Sequence, residues 1–215
     1  NVSHNTDARL MREMNLKCKT VKKFVATTDS KHKDPVSPNL LTRAFEVKEP
    51  NPEWVSDITY LRIGRKWHYL SVFMDLFSRS VVGWDLSDSL ERYSVIKALN
   101  KAVMRRRPGK GLMVHSDRGI QYASKDFKER LTKHGFVQSM SRKGNCWDNA
   151  VAESFFHTLK TQLIQHTRFS SFEETERILF KYIEVYYNQR RKHSANGWKA
   201  PAHCEQAWYD LKKVA

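Results

Sequence analysis

The sequence predicts an α/β protein built on a five-stranded mixed sheet with helices on both faces, preceded by an extended basic N-terminal arm. Three observations lead there. Residues 54–87 fall into three runs rich in β-branched and aromatic residues, separated by short turns, the pattern of an antiparallel meander. From residue 91 onward, short apolar runs alternate with stretches of helical periodicity, which predicts strands joined through helices. Residues 17–53 carry lysines and prolines with little periodicity, as expected of an arm without a core of its own.

Composition sets the partner class. The chain has 215 residues, 38 Lys plus Arg against 23 Asp plus Glu, and a net charge of +15. So large a positive excess implies a polyanionic partner, most often nucleic acid. Hydrophobic residues make up 40% of the sequence, enough for a folded core. Cys18, Cys146 and Cys204 form no CxxC pair, which fits a reducing, cytoplasmic setting. No apolar run approaches the length of a membrane span. The chain starts at Asn1, as a piece of a longer product would.

In order, residues 5–16 read as a short helix with Leu10, Met11 and Met14 on its apolar side, too short to be stable alone. The arm strings Lys17, Lys19, Lys22, Lys23, Lys31 and Lys33 ahead of Pro35, Pro38, Pro50 and Pro52. It is expected to order only against DNA or a partner subunit. The three strands are VSDITYLRIG, WHYLSVFMDLFS and RSVVGWDLSD, with a turn at Gly64-Arg65-Lys66. A helix over 91–105 turns Val95, Leu99, Ala102 and Val103 inward and ends at the arginine run 105–107. A fourth strand covers 111–115, broken by Ser116-Asp117-Arg118-Gly119; a helix over 124–134 starts at Ser124; a fifth strand covers 136–140. The loop 141–145 leads into a helix for which Asp148 or Asn149 is the N-cap. A long helix over 171–191 is expected to open on a capping box of Ser171 and Glu174, with Ile178, Leu179, Tyr182, Ile183 and Tyr186 inward. A last short helix covers about 202–212. Trp54, Trp67, Trp84 and Trp198 are expected in the core. The tracts divide as 1–53 (helix and basic arm), 54–170 (core) and 171–215 (helical extension). This element order suits an RNase H-like domain.

Three acids stand out in that layout. Asp57 lies mid-strand among Val55, Ile58 and Tyr60, where an uncompensated charge is expensive. Asp117 follows the fourth strand. On the helix after the loop, Ala152, Phe156, Leu159 and Leu163 form the buried stripe, while Glu153, His157 and Lys160 share another side. A meander followed by a crossover makes the first and fourth strands neighbours, which brings the three carboxylates together. Crowded carboxylates repel unless a cation joins them, and hard oxygen donors select Mg²⁺ or Mn²⁺. Two such ions about 3.5–4 Å apart stabilise the attacking and leaving oxygens of a phosphoryl transfer.

Several segments in order resemble the second-frame transposases of small bacterial insertion sequences, DDE polynucleotidyl transferases akin to retroviral integrases. They are Trp54-Val-Ser-Asp57-Ile-Thr-Tyr60, Asp75-Leu-Phe-Ser-Arg79, Val82-Gly-Trp84, His115-Ser-Asp117-Arg-Gly-Ile-Gln-Tyr122, Ser139-Met-Ser-Arg-Lys-Gly-Asn145, Asp148-Asn-Ala-Val-Ala-Glu-Ser-Phe-Phe156 and Tyr187-Asn-Gln-Arg-Arg-Lys-His193. The 35 residues between Asp117 and Glu153, and the basic Lys160 beyond, match the family pattern. The resemblance implies metal-dependent 3′-end cleavage and strand transfer of an insertion sequence. Asp57, Asp117 and Glu153 would hold two Mg²⁺ ions, Mn²⁺ substituting, and at least a dimer would act on element ends and target DNA. It also implies that the helix-turn-helix that reads the element's ends lies outside this sequence. His157 stands where retroviral integrases have lysine. Arg142 and Lys143 are expected on phosphates near the scissile bond, and Gln121 and Asn149 on a base or sugar. His157 and Lys160 are expected on the incoming DNA, and Asn188 and Arg191 on DNA or a partner subunit. The alternatives are a catalytically silent DNA-binding module and an RNase H-like nuclease that cuts without joining.

Overall fold

The structure, a computed structural model, describes residues 3–16 and 34–214. The lysine run from Lys17 to Lys33, with Cys18, lies outside the described residues. Five strands form one sheet: β1 (Glu53–Ile63), β2 (Lys66–Asp75), β3 (Val81–Ser87), β4 (Met113–Ser116) and β5 (Val137–Met140). Their order is β3-β2-β1-β4-β5. β1, β2 and β3 pair antiparallel, and β4 and β5 run parallel to β1. The expected five-stranded mixed sheet is therefore present. The β1–β2 turn begins at Gly64, whose φ of 57° is one that glycine adopts without steric cost.

Side chains alternate across the sheet, so each face buries its own apolar set. Trp54, Phe73 and Val114 pack under α2 (Arg92–Arg106), α3 (Ile120–Ala123) and α4 (Lys125–His134). Val55, Leu61 and Val72 pack under α5 (Ala150–Gln162) and α6 (Phe172–Phe180). α2 lies unusually close to β3: a Cβ on Gly83 would sit 2.5 Å from the carbonyl oxygen of Ala98. Ser124 starts α4 as expected, its hydroxyl accepting from the Phe127 amide. α1 (His4–Glu13) forms near the expected place, but Leu10, Met11 and Met14 are 38%, 38% and 60% exposed. α7 (Pro201–Val214) is the expected last helix.

Three expectations need correction. The long helix over 171–191 is α6 followed by a π-helical segment, Lys181–Tyr187. The wider π turn retards the buried stripe by one residue. Tyr187 is therefore buried, whereas Tyr186, expected inward, is 42% exposed. Ser171 caps the Glu174 amide, but the Glu174 carboxylate reaches back to the backbone and hydroxyl of Ser170.

Second, the later part of the arm is ordered against its own core. The Ser37 hydroxyl donates to Gln138 at 2.7 Å, and the Leu40 and Leu41 amides donate to Ser139 Oγ at 2.9 and 3.2 Å. Leu41 is buried in the α5-side cluster. Third, Trp54 and Trp84 are core residues, but Trp67 and Trp198 are 57% and 68% exposed.

The arginine run closing α2 is paired. Arg105 makes a bidentate pair with Glu184, and Arg106 one with Glu205 at 2.5 and 2.7 Å.

Candidate active site

The sheet register positions the acids. The β1–β4 pairing ends at Ser56↔Ser116, so Asp57 and Asp117 are the next residues on two adjacent parallel strands. By alternation both side chains lie on the α5 face, the one that carries Val55 and Met113. The Asp57 carboxylate accepts from the Ile58 amide at 2.8 Å, and that of Asp117 from the Gly119 amide at 2.9 Å. Any side chain at 119 would press on Asp117, since a Cβ there would lie 3.0 Å from its Oδ1. Glu153 enters from the first turn of α5, whose buried residues are Ala152, Phe155, Phe156 and Leu159.

Asp57 and Glu153 both feel the charge of Asp117. Asp57 is pushed well above the usual carboxylate range, first by burial and then by the charges of Asp117 and Glu153, against the Ile58 hydrogen bond and Lys160. Glu153 is pushed up by burial and by Asp117. Half-buried Lys160 is pulled down by loss of hydration, with the Asp57 charge opposing. His157 is exposed on the same helix. The set is three hard oxygen donors with one ammonium beside them. Among the described residues, no three His, Cys, Asp or Glu side chains already close into a metal-holding cluster.

What fixes α5 differs from the capping expectation. Neither Asp148 nor Asn149 makes a side-chain cap; both lie in a 3₁₀ turn, Cys146–Asn149, ahead of the helix. Asp148 is fully buried. It accepts from the Arg142 backbone amide and Nε at 2.9 and 3.0 Å, from Arg43 Nε at 2.9 Å and from Asn39 Nδ2 at 2.9 Å. Those donors, Arg142 foremost, hold its carboxyl far below the usual range. Asn149 donates to the carbonyl of Ser56 at 3.1 Å, which ties the start of α5 to the residue before Asp57. The Ser56 hydroxyl in turn shares a 2.9 Å bond with Tyr122, whose hydroxyl is pushed well up by burial and by the charges of Asp57 and Asp117.

The expected DNA contacts therefore separate. Lys143 and His157 are exposed, and Lys160 is half-exposed beside the acids. Arg142 is half-exposed but already bonded to Asp148. Three others turn into the fold. Gln121 is buried and donates to the Leu90 carbonyl at 2.9 Å; Asn149 holds Ser56; and Asn188 donates to the Val81 carbonyl and accepts its amide, both at 2.9 Å. Arg191 lies over the Tyr187 ring at 5.7 Å. The sequence reading missed the roles of Arg43, Asn39 and Tyr122. Nothing near Arg43 or Asn39 in sequence marks them, because their partner Asp148 is over a hundred residues away.

The fold and the juxtaposed acids define an RNase H-like core of the integrase class. The integrase core domain family model matches residues 47–146, and a second integrase core domain model matches residues 134–201. Among solved structures, the HTLV-2 integrase catalytic core domain in complex with magnesium superposes with a TM-score of 0.55 at 18% identity, covering 73% of this chain and 97% of that one. A simian T-cell lymphotropic virus intasome chain gives a TM-score of 0.63 at 19% identity, covering 83% and 60%. Closer relatives narrow the class. The chain is 42% identical over 200 residues to transposase InsF for insertion sequence IS3A of Escherichia coli, covering 93% of this chain and 69% of that protein. It is 40% identical over 204 residues to an uncharacterised 31 kDa protein of insertion element IS600 from Shigella sonnei, covering 95% and 75%. The chain belongs to the IS3-type insertion-sequence transposases, DNA transposases with an integrase core.

Proposed function

We propose that Asp57, Asp117 and Glu153 hold divalent cations, two Mg²⁺ with Mn²⁺ able to substitute, and cleave and join DNA at the ends of an insertion sequence. The observation that carries this reading is the electrostatic elevation of two of the acids by the third: Asp117 raises both Asp57 and Glu153. Carboxylates that repel in the bare protein are matched to added positive charge. When bound, the ions would supply Lewis-acid activation of a water or 3′-hydroxyl and charge balance at the scissile phosphate. The chain supplies the rest. The parallel β1–β4 register orients the two aspartates, the Gly119 amide steadies the Asp117 carboxylate, and the Asn149–Ser56 bond sets the approach of Glu153. Lys160 and His157 face the DNA strand beside the acids, and Lys143 steadies a neighbouring phosphate. Cleavage frees a 3′-hydroxyl, which then attacks a second phosphodiester with no covalent enzyme intermediate. Joining two ends calls for at least two copies, acting on DNA in the bacterial cytoplasm. No helix among the described residues is long and apolar enough to cross a membrane.

The test is a nicking and strand-transfer assay with element-end DNA and Mn²⁺, run beside melting curves with and without the ion. Wild type should nick and join, and its melting temperature should rise with metal, by about 2.7 kcal/mol of stabilisation at a hundred times Kd. Glu153→Gln should melt normally but lose both effects. Equal activity in Glu153→Gln and wild type sinks the proposal. Cleavage without joining of precleaved 3′-hydroxyl ends reduces it to a nuclease.

A further inference from the structure

The loop joining the π segment to α7 has no part in the chemistry above, yet it is built with care. Residues 188–204 contain four Lys or Arg (Arg190, Arg191, Lys192 and Lys199), two histidines and no acid. The loop is closed at its neck, where the His193 amide donates to the Lys199 carbonyl at 3.1 Å and the Trp198 amide donates to the His193 carbonyl at 3.0 Å. It is fixed to the sheet by Asn188 on Val81 and by Asn196, whose amide donates to the Ser78 carbonyl at 2.6 Å. Within this rigid frame Gly197 and Trp198 both adopt left-handed backbone, at φ of 59° and 63°. That conformation disfavours a bulky side chain. The Trp198 side chain is 68% exposed. Arg190, Lys192 and Lys199 of the same loop are also exposed, Lys199 next to Trp198 in the chain and Lys192 next to His193 at the neck.

A strained backbone, a solvated indole and a one-sign loop each cost free energy in the bare protein. An exposed aromatic face among cations is the arrangement that binds single-stranded nucleic acid, the base stacking while the phosphates meet the cations. We infer that the loop around Trp198 is a second DNA surface, which receives an unpaired stretch of strand away from the carboxylates. This rests on the transposase reading but is separable from it. A nucleic-acid strand is the occupant the charge favours, because the loop carries four Lys or Arg and no acid over residues 188–204 in a chain of net charge +15.

The test uses the full chain and a mixed-sequence duplex, blunt or with a short single-stranded overhang, with affinity measured by anisotropy across a salt series. For wild type the overhang should tighten binding by roughly five- to tenfold. Trp198→Gly should abolish that advantage while melting at or above the wild-type temperature, since glycine relieves the left-handed backbone. The double variant Lys192→Ala/Lys199→Ala should lower the salt slope by about 1.4 on the overhang DNA and leave that of the blunt duplex unmoved. If wild type binds no DNA, the transposase reading itself fails. If wild type binds and cuts DNA but Trp198→Gly keeps the overhang advantage, only this inference falls. A Trp198→Gly variant that changes sedimentation from oligomer to monomer, with DNA affinity unmoved, would overturn it in favour of a subunit contact.

Discussion

Asp148 and Glu153 stand five positions apart in the sequence, at the two ends of one short stretch, yet the fold treats them oppositely. Asp148 is sealed from solvent and surrounded by Arg142, Arg43 and Asn39, so its carboxyl stays ionised far below the usual range. Glu153, with Asp57, is pushed upward by burial and by neighbouring acids, Lys160 giving Asp57 only partial relief. The first acid is saturated with donors and can do nothing but hold. The second group is left short of positive charge and can accept it from outside. On the proposed reading, the amount of compensation built around each separates the structural carboxylate from the reactive ones.

The strongest way to break the contrast is to remove charge where it is in excess. Asp57→Asn should lower nicking by about a thousandfold, the loss of several kcal/mol of transition-state stabilisation, while leaving the metal-free melting temperature level or higher. A fall in stability equal to that of an Asp148 variant would show that Asp57 is structural too. Asp148→Ala should do the reverse. Loss of charge-assisted hydrogen bonds costs about 2 kcal/mol, a drop in melting temperature of about 4–8 °C for a chain of this size, and it should weaken nicking only through the looser start of α5. Arg43→Ala removes one of several donors, and its half-exposed side chain limits the effect to about 1 kcal/mol, readable as a small shift in denaturant midpoint.

The gentlest probe is pH. His115 is buried with Nδ1 2.8 Å from the Ser139 hydroxyl that also receives the Leu40 and Leu41 amides, and burial pulls its pKa down to about 4. The folded state therefore holds the ring neutral, whereas the unfolded chain protonates it near 6.5. Its contribution is present above 6.5 and is lost as pH falls from there toward 4. Asp75 runs the other way. Burial raises it to about 6, so its contribution is complete below its unfolded value near 3.8 and is lost as pH rises through 6. Wild type should lose stability on acidification faster than His115→Asn; parallel curves would remove His115 from the arm's anchorage.

Much of this was legible in the sequence. Period-two patterning and turn residues gave the strands. Residue type and place in the layout singled out Asp57, Asp117 and Glu153, which the fold brings within electrostatic reach. What escaped was non-local or depended on a break in period. No window that includes Arg43 contains its partner Asp148, and none that includes Arg106 contains Glu205. Asn188 looked like a surface polar residue because an amide that completes a strand edge is indistinguishable in sequence from one that meets DNA. Tyr186 and Tyr187 exchanged places because the reading assumed an α-helical phase where one π turn intervenes. Trp67 and Trp198 were assigned to the core on residue type alone, whereas Trp67 stands at the exposed start of β2 and Trp198 in a turn.

The pairing of Asn188 with both backbone groups of Val81 bears on how the chain is made. β3 borders the sheet, and an open border invites another strand. One amide side chain stands in there for a missing neighbour, but it is synthesised more than a hundred residues after the strand it protects. During translation the sheet can assemble while that border is still bare. Newly made protein is thus most vulnerable to edge-to-edge clumping just before its last helix emerges, and chains that stop short of Asn188 should aggregate even though every strand is intact.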